Sequence, residues 1–347
     1  MRKFLLKISY TVLPLWLSIV TLVIFYNVHV IPNMQGDLGG LGKIPTKLFY
    51  ERDSDTTIPN TLICTVTKAE MLCKDSFDVI TCGDSFSQQG KYGYQNYMAT
   101  DGLQVANYSG CFLHNPFQVA FNLMRSGYID STNTKLLVIE SVERYLLSRL
   151  HSLSFNQVSI IEENEKPSKP EAKCLLAEAK IYLDFLLGLD IEENPVKLLK
   201  LDNYFFSGSK GDRLYFYYED ISYDEFSIPE RDDSIIRSKI DTLFAEAKAN
   251  NIQLLILVCP DKYDLYQDHI INNSYPIKTI NEDFRRIVGD RADVIIGKEL
   301  LYPHIHSVKK DMYYLDDTHW SYKSAKIIAD NILRVYELIE RQGPLSR

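Results

Sequence analysis

The sequence predicts a three-layer α/β/α fold around a mainly parallel sheet, preceded by one N-terminal transmembrane helix, and three observations predict it. Short β-branched apolar runs at Phe77 to Ile80, Lys135 to Glu140, Gln253 to Cys259 and Asp293 to Ile296 have the length of buried strands. Helical patterns lie between or after them, at Asn115 to Arg125, Ala172 to Leu187, Ser234 to Asn250 and Ser321 to Arg341, with Gly188 as a stop for the second. An uncharged apolar stretch from about Ile8 to Val30, with only Pro14 as a potential kink, holds roughly the twenty residues needed to cross a bilayer core.

The apolar stretch reads as an uncleaved anchor, because Phe25-Tyr26-Asn27-Val28-His29 follows it where a signal peptide would carry small residues. Arg2, Lys3 and Lys7 precede the span and the next cations are Lys43 and Lys47, which predicts a cytoplasmic N-terminus and an exported domain. The expected organisation is an anchor over 1–30, a Gly/Pro/Asp/Thr-rich linker over 31–60 and one domain over 61–341. Within it, 199–227 is dense in tyrosine and phenylalanine and broken by Ser207-Gly208-Ser209-Lys210-Gly211, which reads as a β-hairpin insertion. Its aromatics serve either to pack the hairpin or to offer a wall to a sugar ring.

Apolar residues make up 46% and charged ones 24% of the 347, enough to build a buried core. The net charge of -8, with no basic stripe, argues against a nucleic-acid partner. The six cysteines, Cys64, Cys73, Cys82, Cys111, Cys174 and Cys259, show no Cys-x-x-Cys pair, and no zinc site is expected. An oxidising compartment permits a Cys64–Cys73 disulfide; reduced packing residues are the alternative, and Cys82 and Cys259 lie in strand-like runs.

Chemistry enters at Thr81-Cys82-Gly83-Asp84-Ser85-Phe86-Ser87, directly after an apolar run. Ligands of a parallel α/β sheet sit beyond the carboxyl ends of its strands, and Gly83-Asp84-Ser85 occupies such an end. A serine needs a base to take its proton, usually a histidine held by a carboxylate. Of seven histidines, His29 lies at the membrane edge, and His114, His151 and His269 have no carboxylate pattern that singles them out. His304 and His306 lack a third metal ligand, so no metal is expected. His319 remains, in Asp316-Asp317-Thr318-His319-Trp320-Ser321, with two carboxylates just before it and Ser321 as the N-cap of the helical pattern that follows. Each motif alone reads as an ordinary turn; together they are specific.

Gly-Asp-Ser-Phe after the first strand and Asp-Thr-His-Trp near the C-terminus resemble the SGNH (GDSL-type) hydrolase superfamily, in its branch containing the alginate O-acetyltransferases. Leu137 to Leu146, a strand ending in Glu-x-x-x-Arg, and Val258 to Tyr266, a strand followed by Pro-x-Lys and a tyrosine, are similar to that branch too. The resemblance implies a flavodoxin-like three-layer fold with Ser85 as nucleophile, His319 as general base and an aspartate orienting it. Superfamily spacing selects Asp316 and the acetyltransferase pattern Asp317, which is preferred. Ser87 is the poorer nucleophile. The resemblance further implies an oxyanion hole from the Ser85 N–H and Gly110, and substrate contacts from Arg144, Lys262 and Trp320. For Arg144 a structural salt bridge with Glu140 or Glu143 stands beside that reading. Two departures are visible: no Gly-x-Asn-Asp block follows the second strand, and the serine motif precedes the histidine motif, opposite to the alginate enzymes. Three functions follow as expectations. The first is a membrane-anchored O-acyltransferase of the bacterial inner membrane, its catalytic domain periplasmic or extracytoplasmic. It would need no cofactor, act on a polysaccharide acceptor and draw acyl groups from a membrane acyl-transfer protein. The others are a carbohydrate esterase or deacetylase, and a non-catalytic polysaccharide-binding assembly protein.

Overall fold

The computed structural model describes residues 2–57, 62–66, 76–108, 115–127, 129, 134–156, 194–222 and 226–342. Gly110, His114, Tyr223, Cys73, Cys111, Cys174, and the expected helix at 172–187 with its stop at Gly188, lie outside the described residues.

The strands are β1 (Cys64–Val66), β2 (Val79–Cys82), β3 (Val105–Tyr108), β4 (Leu136–Val142), β5 (Val196–Lys200), β6 (Arg213–Tyr217), β7 (Gln253–Cys259) and β8 (Val294–Ile296). Six form one sheet in the order β1-β3-β2-β4-β7-β8, with every neighbouring pair parallel. Val79, Val138, Leu255 and Leu257 enter the core on one face; Ile80, Leu137, Ile139 and Ile256 enter the core on the other. Burial on both faces is why these strands read as continuous apolar runs rather than as alternating ones.

The path through the sheet sets the site. From β2 the chain moves to β3 on one side and then to β4 on the other, so a crevice opens beyond the carboxyl end of β2. That strand runs two residues later than expected, because the polar Thr81 ends the apolar run yet stays in the ladder opposite Asn107 and Val138. The short strands β1 and β3, each interrupted by a polar residue, Thr65 and Asn107, were not anticipated.

Helices flank the sheet largely where the pattern places them. Asn115 caps the helix Pro116–Arg125 by accepting from the Phe117 N–H at 3.0 Å, with Pro116 at the first helical position. The helix Asp233–Ala249 matches its pattern within a residue at each end. Ser321 caps the helix Tyr322–Gln342, its hydroxyl accepting from the Lys323 N–H at 3.1 Å. At the N-terminus, Val12–Asn33 is a 22-residue helical stretch of mean hydropathy 1.8, long and apolar enough to cross a membrane. The aromatic insertion is the antiparallel hairpin β5–β6, whose first strand begins at Val196, three residues before the expected start. Phe205, Phe206, Tyr215 and Phe216 are buried, and Phe216 and Phe206 pack on Tyr263 and Tyr266 with ring centroids 5.2 Å apart. Tyr204 and Tyr218 stay exposed.

The segment expected as a linker is the main correction. Leu38, Ile44 and Tyr50 are buried in the same core cluster as Val79 and Leu255. The N–H groups of Leu38 and Gly39 donate to the Asp316 carbonyl at 3.1 and 3.4 Å. Gly36 makes this approach possible: its φ is +71°, and a Cβ there would sit 1.9 Å from the Asp316 oxygen. Glycines that suggest a flexible tether here permit close docking.

Candidate active site

The turn after β2 is locked from beneath. Gly83 is required by close packing, since a Cβ would meet Ser87 Oγ at 2.1 Å and Glu140 Oε2 at 2.3 Å. Glu140, buried on β4, accepts from the Asp84 N–H and from Ser87 Oγ, each at 2.9 Å. Burial, with Asp84 nearby, pushes its carboxyl well above the ordinary range. Asp84 turns back to accept from the Phe86 N–H at 3.1 Å, the Val142 N–H at 2.9 Å and Arg149 Nη1 at 2.6 Å. Burial works against its charge, but Arg149 and these N–H groups outweigh it, and its pKa falls below the usual value. Ser87 is buried, bonded to Glu140 and Tyr94. Ser85 lines a cavity of about 390 Å³.

His319 lines the same cavity, carried by a loop closed by the antiparallel bridge Tyr313–Trp320. Its Nδ1 lies 2.7 Å from Asp317 Oδ1, and the same oxygen accepts the His319 N–H at 3.2 Å. Asp316 points elsewhere, accepting from Arg52 Nε at 2.8 Å. Arg52 also reaches Asp317 Oδ2 at 2.6 Å, so one guanidinium bridges both carboxylates. Asp37, from the docked segment, accepts the Thr318 N–H at 2.8 Å, bonds the Thr318 hydroxyl and approaches His319 Nδ1 at 3.5 Å.

The electrostatics follow from this packing. Burial opposes charge on His319, but the Asp317 hydrogen bond and the charges of Asp317 and Asp37 outweigh it and raise its pKa. Burial likewise opposes charge on Asp317, and the bond and charge of His319, with Arg52, hold it well below the carboxylate range. Burial and Asp317 raise Asp37. His319 Nε2 is buried and has no hydrogen-bond partner among the described residues, Ser85 included. Phe86, next to Ser85, packs on the imidazole with centroids 4.9 Å apart and on Trp320 at the same distance, setting the ring's place beside the Gly83–Ser87 turn. Asp37, Asp317 and His319 offer ligand atoms within 4.8 Å of one another, and Asp317 and Thr318 already bond those atoms.

Of the expected substrate contacts, only Arg144 reaches the cavity. It is buried, and Nη1 pairs with Asp220 and Asp261 rather than with Glu140 or Glu143. Lys262 and Trp320 are fully buried, which corrects their expected contact with substrate. Lys262 Nζ donates to the carbonyls of Tyr314, Leu315 and Asp317 at 2.7, 2.8 and 3.1 Å and so holds the histidine loop; burial lowers its pKa to about 7. Trp320 lies beneath the loop against Phe86 and Tyr94. Gly110 lies outside the described residues. Asp37, Arg52, Arg149, Tyr145 and Glu219 are additions that sequence reasoning missed; Arg52 grips the two aspartates and the other four line the cavity, together with Tyr217 of the aromatic hairpin. The one available signal for Asp37 was an acid in a glycine-rich stretch, which reads as linker chemistry.

A parallel sheet with the serine turn at its switch point and a late histidine loop beside it defines an SGNH-like α/β domain. Residues 217–344 match the family model of the SGNH hydrolase-like domain of the acetyltransferase AlgX. The match includes His319 and Asp317 and supports the alginate O-acetyltransferase-like branch; Ser85 precedes the matched segment. No curated protein matches the chain.

Proposed function

We propose that the protein is a membrane-anchored O-acyltransferase, acetylating hydroxyls of an exported or cell-envelope polysaccharide through an acyl-serine intermediate. The observation that carries this reading is the His319 imidazole: Nδ1 is held by Asp317 at 2.7 Å, Nε2 is buried without a hydrogen-bond partner among the described residues, and His319 and Ser85 line the same cavity. Such a tautomer, with the hydrogen on Nδ1, leaves Nε2 free to accept a proton.

In the first half reaction Ser85 Oγ attacks the acyl carbonyl as Nε2 takes its proton. The tetrahedral intermediate collapses, the donor oxygen leaves with that proton, and the acyl group remains on Ser85. The Ser85 N–H is a candidate donor to the developing oxyanion, with Gly110 as the proposed second. In the second half a sugar hydroxyl attacks the ester, gives its proton to Nε2, and Ser85 Oγ recovers it. Asp317 keeps the imidazole oriented and stabilises its cation in both halves. A membrane-borne acyl donor fits the apolar N-terminal helix, with the domain exported. Incubating the full chain with p-nitrophenyl acetate, with and without oligosaccharides, tests the proposal against Ser85→Ala. Acetylated sugar that disappears in the variant supports transfer. Acetate release indifferent to sugar supports the esterase reading, and equal behaviour of both proteins defeats both.

A further inference from the structure

Lys262 is fully buried at the start of the short helix Lys262–Tyr266, just beyond the carboxyl end of β7. Its ammonium carries three hydrogens, and the histidine loop supplies three acceptors: the carbonyls of Tyr314 at 2.7 Å, Leu315 at 2.8 Å and Asp317 at 3.1 Å. Donors and acceptors match one to one only while the amine is charged. A neutral amine keeps two hydrogens and turns a lone pair toward the third carbonyl, which is left unpaired. The Asp317 carbonyl belongs to the residue whose carboxylate holds His319 Nδ1 at 2.7 Å, so a shift of that backbone moves the imidazole directly.

The surroundings bring this loss of charge within an accessible range. The carboxylates that face Lys262 come from the histidine loop (Asp316, Asp317), the docked segment (Asp37) and the short helix Glu219–Ser222 (Asp220). Each is engaged elsewhere: Asp316 and Asp317 with Arg52, Asp37 with Thr318, and Asp220 with Arg144. Asp261, the preceding residue, is committed to Arg144 and Lys278. The hairpin contributes the Phe206 ring, whose centroid lies 5.1 Å from Nζ. Burial outweighs the attraction of the carboxylates and lowers the Lys262 pKa to about 7, whereas it pushes Tyr217 on the cavity wall and Tyr314 in the loop up to about 12.

Resting on the reading that His319 is the base for Ser85, we infer that Lys262 is a positioning residue: its charge holds the histidine loop in catalytic register, and loss of that charge in alkaline solution releases the loop and shuts the site. His319 works deprotonated and Lys262 protonated, so activity rises with pH through the first group and falls with pH through the second. The profile is a bell rather than a plateau.

The test follows p-nitrophenyl acetate hydrolysis by the full chain in detergent from about pH 5 to 10, with the Ser85→Ala rate subtracted, and compares Lys262→Met. In the wild type kcat/KM should fall about tenfold per pH unit on the alkaline side, the slope of one required proton. Lys262→Met has no proton to lose there and should hold its lower rate through the alkaline range, with the loss in kcat rather than KM because Lys262 does not line the cavity. Thermal unfolding checks the fold of the variant. Hydrogen exchange of the peptide 313–320, corrected for the intrinsic rate, needs neither activity nor a variant. Its protection should drop roughly tenfold or more through the alkaline limb relative to the helix Asp233–Ala249, the scale of leaving one buried acceptor unpaired. A wild-type plateau, an unmoved alkaline limb in folded Lys262→Met, or protection that does not change with pH overturns the inference. Absence of Ser85-dependent release with the alkaline loss of protection intact removes the acyl-transfer reading and leaves the hold of Lys262 on the loop standing.

Discussion

Asp37 and Thr318 are 281 positions apart and joined twice, through the Thr318 N–H at 2.8 Å and through its hydroxyl. The segment that leaves the apolar N-terminal helix therefore grips the loop that carries His319. The apolar helix and the candidate base are separated by a few residues of docked chain, not by a tether.

Asp37→Asn should lower the pKa of His319, because one of the carboxylates that favour the imidazolium is removed while an acceptor for the Thr318 N–H remains. A general base works deprotonated, so activity rises with pH through this pKa. The rising limb of the kcat/KM profile for p-nitrophenyl acetate should move to lower pH. An unmoved limb with unchanged rates would place Asp37 outside the site's electrostatics.

Arg52→Ala leaves Asp316 and Asp317 side by side without their shared cation. The expected cost is about 3 kcal/mol at neutral pH, the scale for breaking a largely buried pair from one side. Asp317 has a folded pKa below its unfolded value, so its share of stability is present above the unfolded pKa and lost as pH falls through the folded one. The difference between wild type and variant in denaturant unfolding should shrink accordingly as the solution is acidified.

Deleting residues 1–30 in detergent-free solution should leave a folded domain, whereas starting the chain at Leu62 should not preserve its stability. Burial of Leu38, Ile44 and Tyr50 is worth about 5 kcal/mol or more at roughly 1.5–3 kcal/mol per large apolar side chain. Thermal unfolding compares the two truncations. Equal midpoints would show that the docked segment contributes nothing.

Gly83→Ala forces the new methyl against Ser87 and Glu140 and must displace the turn that presents Ser85. A loss of at least about 100-fold in kcat/KM is expected, since displacements of about 1 Å at a reacting centre have that scale. The loss should exceed any change in thermal midpoint.

The legible parts of the molecule were those with local patterns. The runs that became β4, β7 and β8, the helices Pro116–Arg125 and Asp233–Ala249, and the Ser321 cap each carry their signal within a few residues. The position of Ser85 beyond β2 followed from strand and motif order. What could not be read is contact across the chain. Nothing near Asp37 or Arg52 indicates partners more than 260 positions away, and glycines that permit close approach share their composition with flexible linkers. Lys262 and Trp320 show the converse: motif residues beside the site that burial assigns to holding the loop.

Acylation of Ser85 is read by mass spectrometry of the full chain quenched after brief exposure to p-nitrophenyl acetate. One added acetyl group is expected on the peptide containing Ser85, absent in Ser85→Ala and accumulating poorly in His319→Ala. An acetyl group found elsewhere, or an unmodified Ser85 peptide in a protein that still releases nitrophenolate, would contradict it.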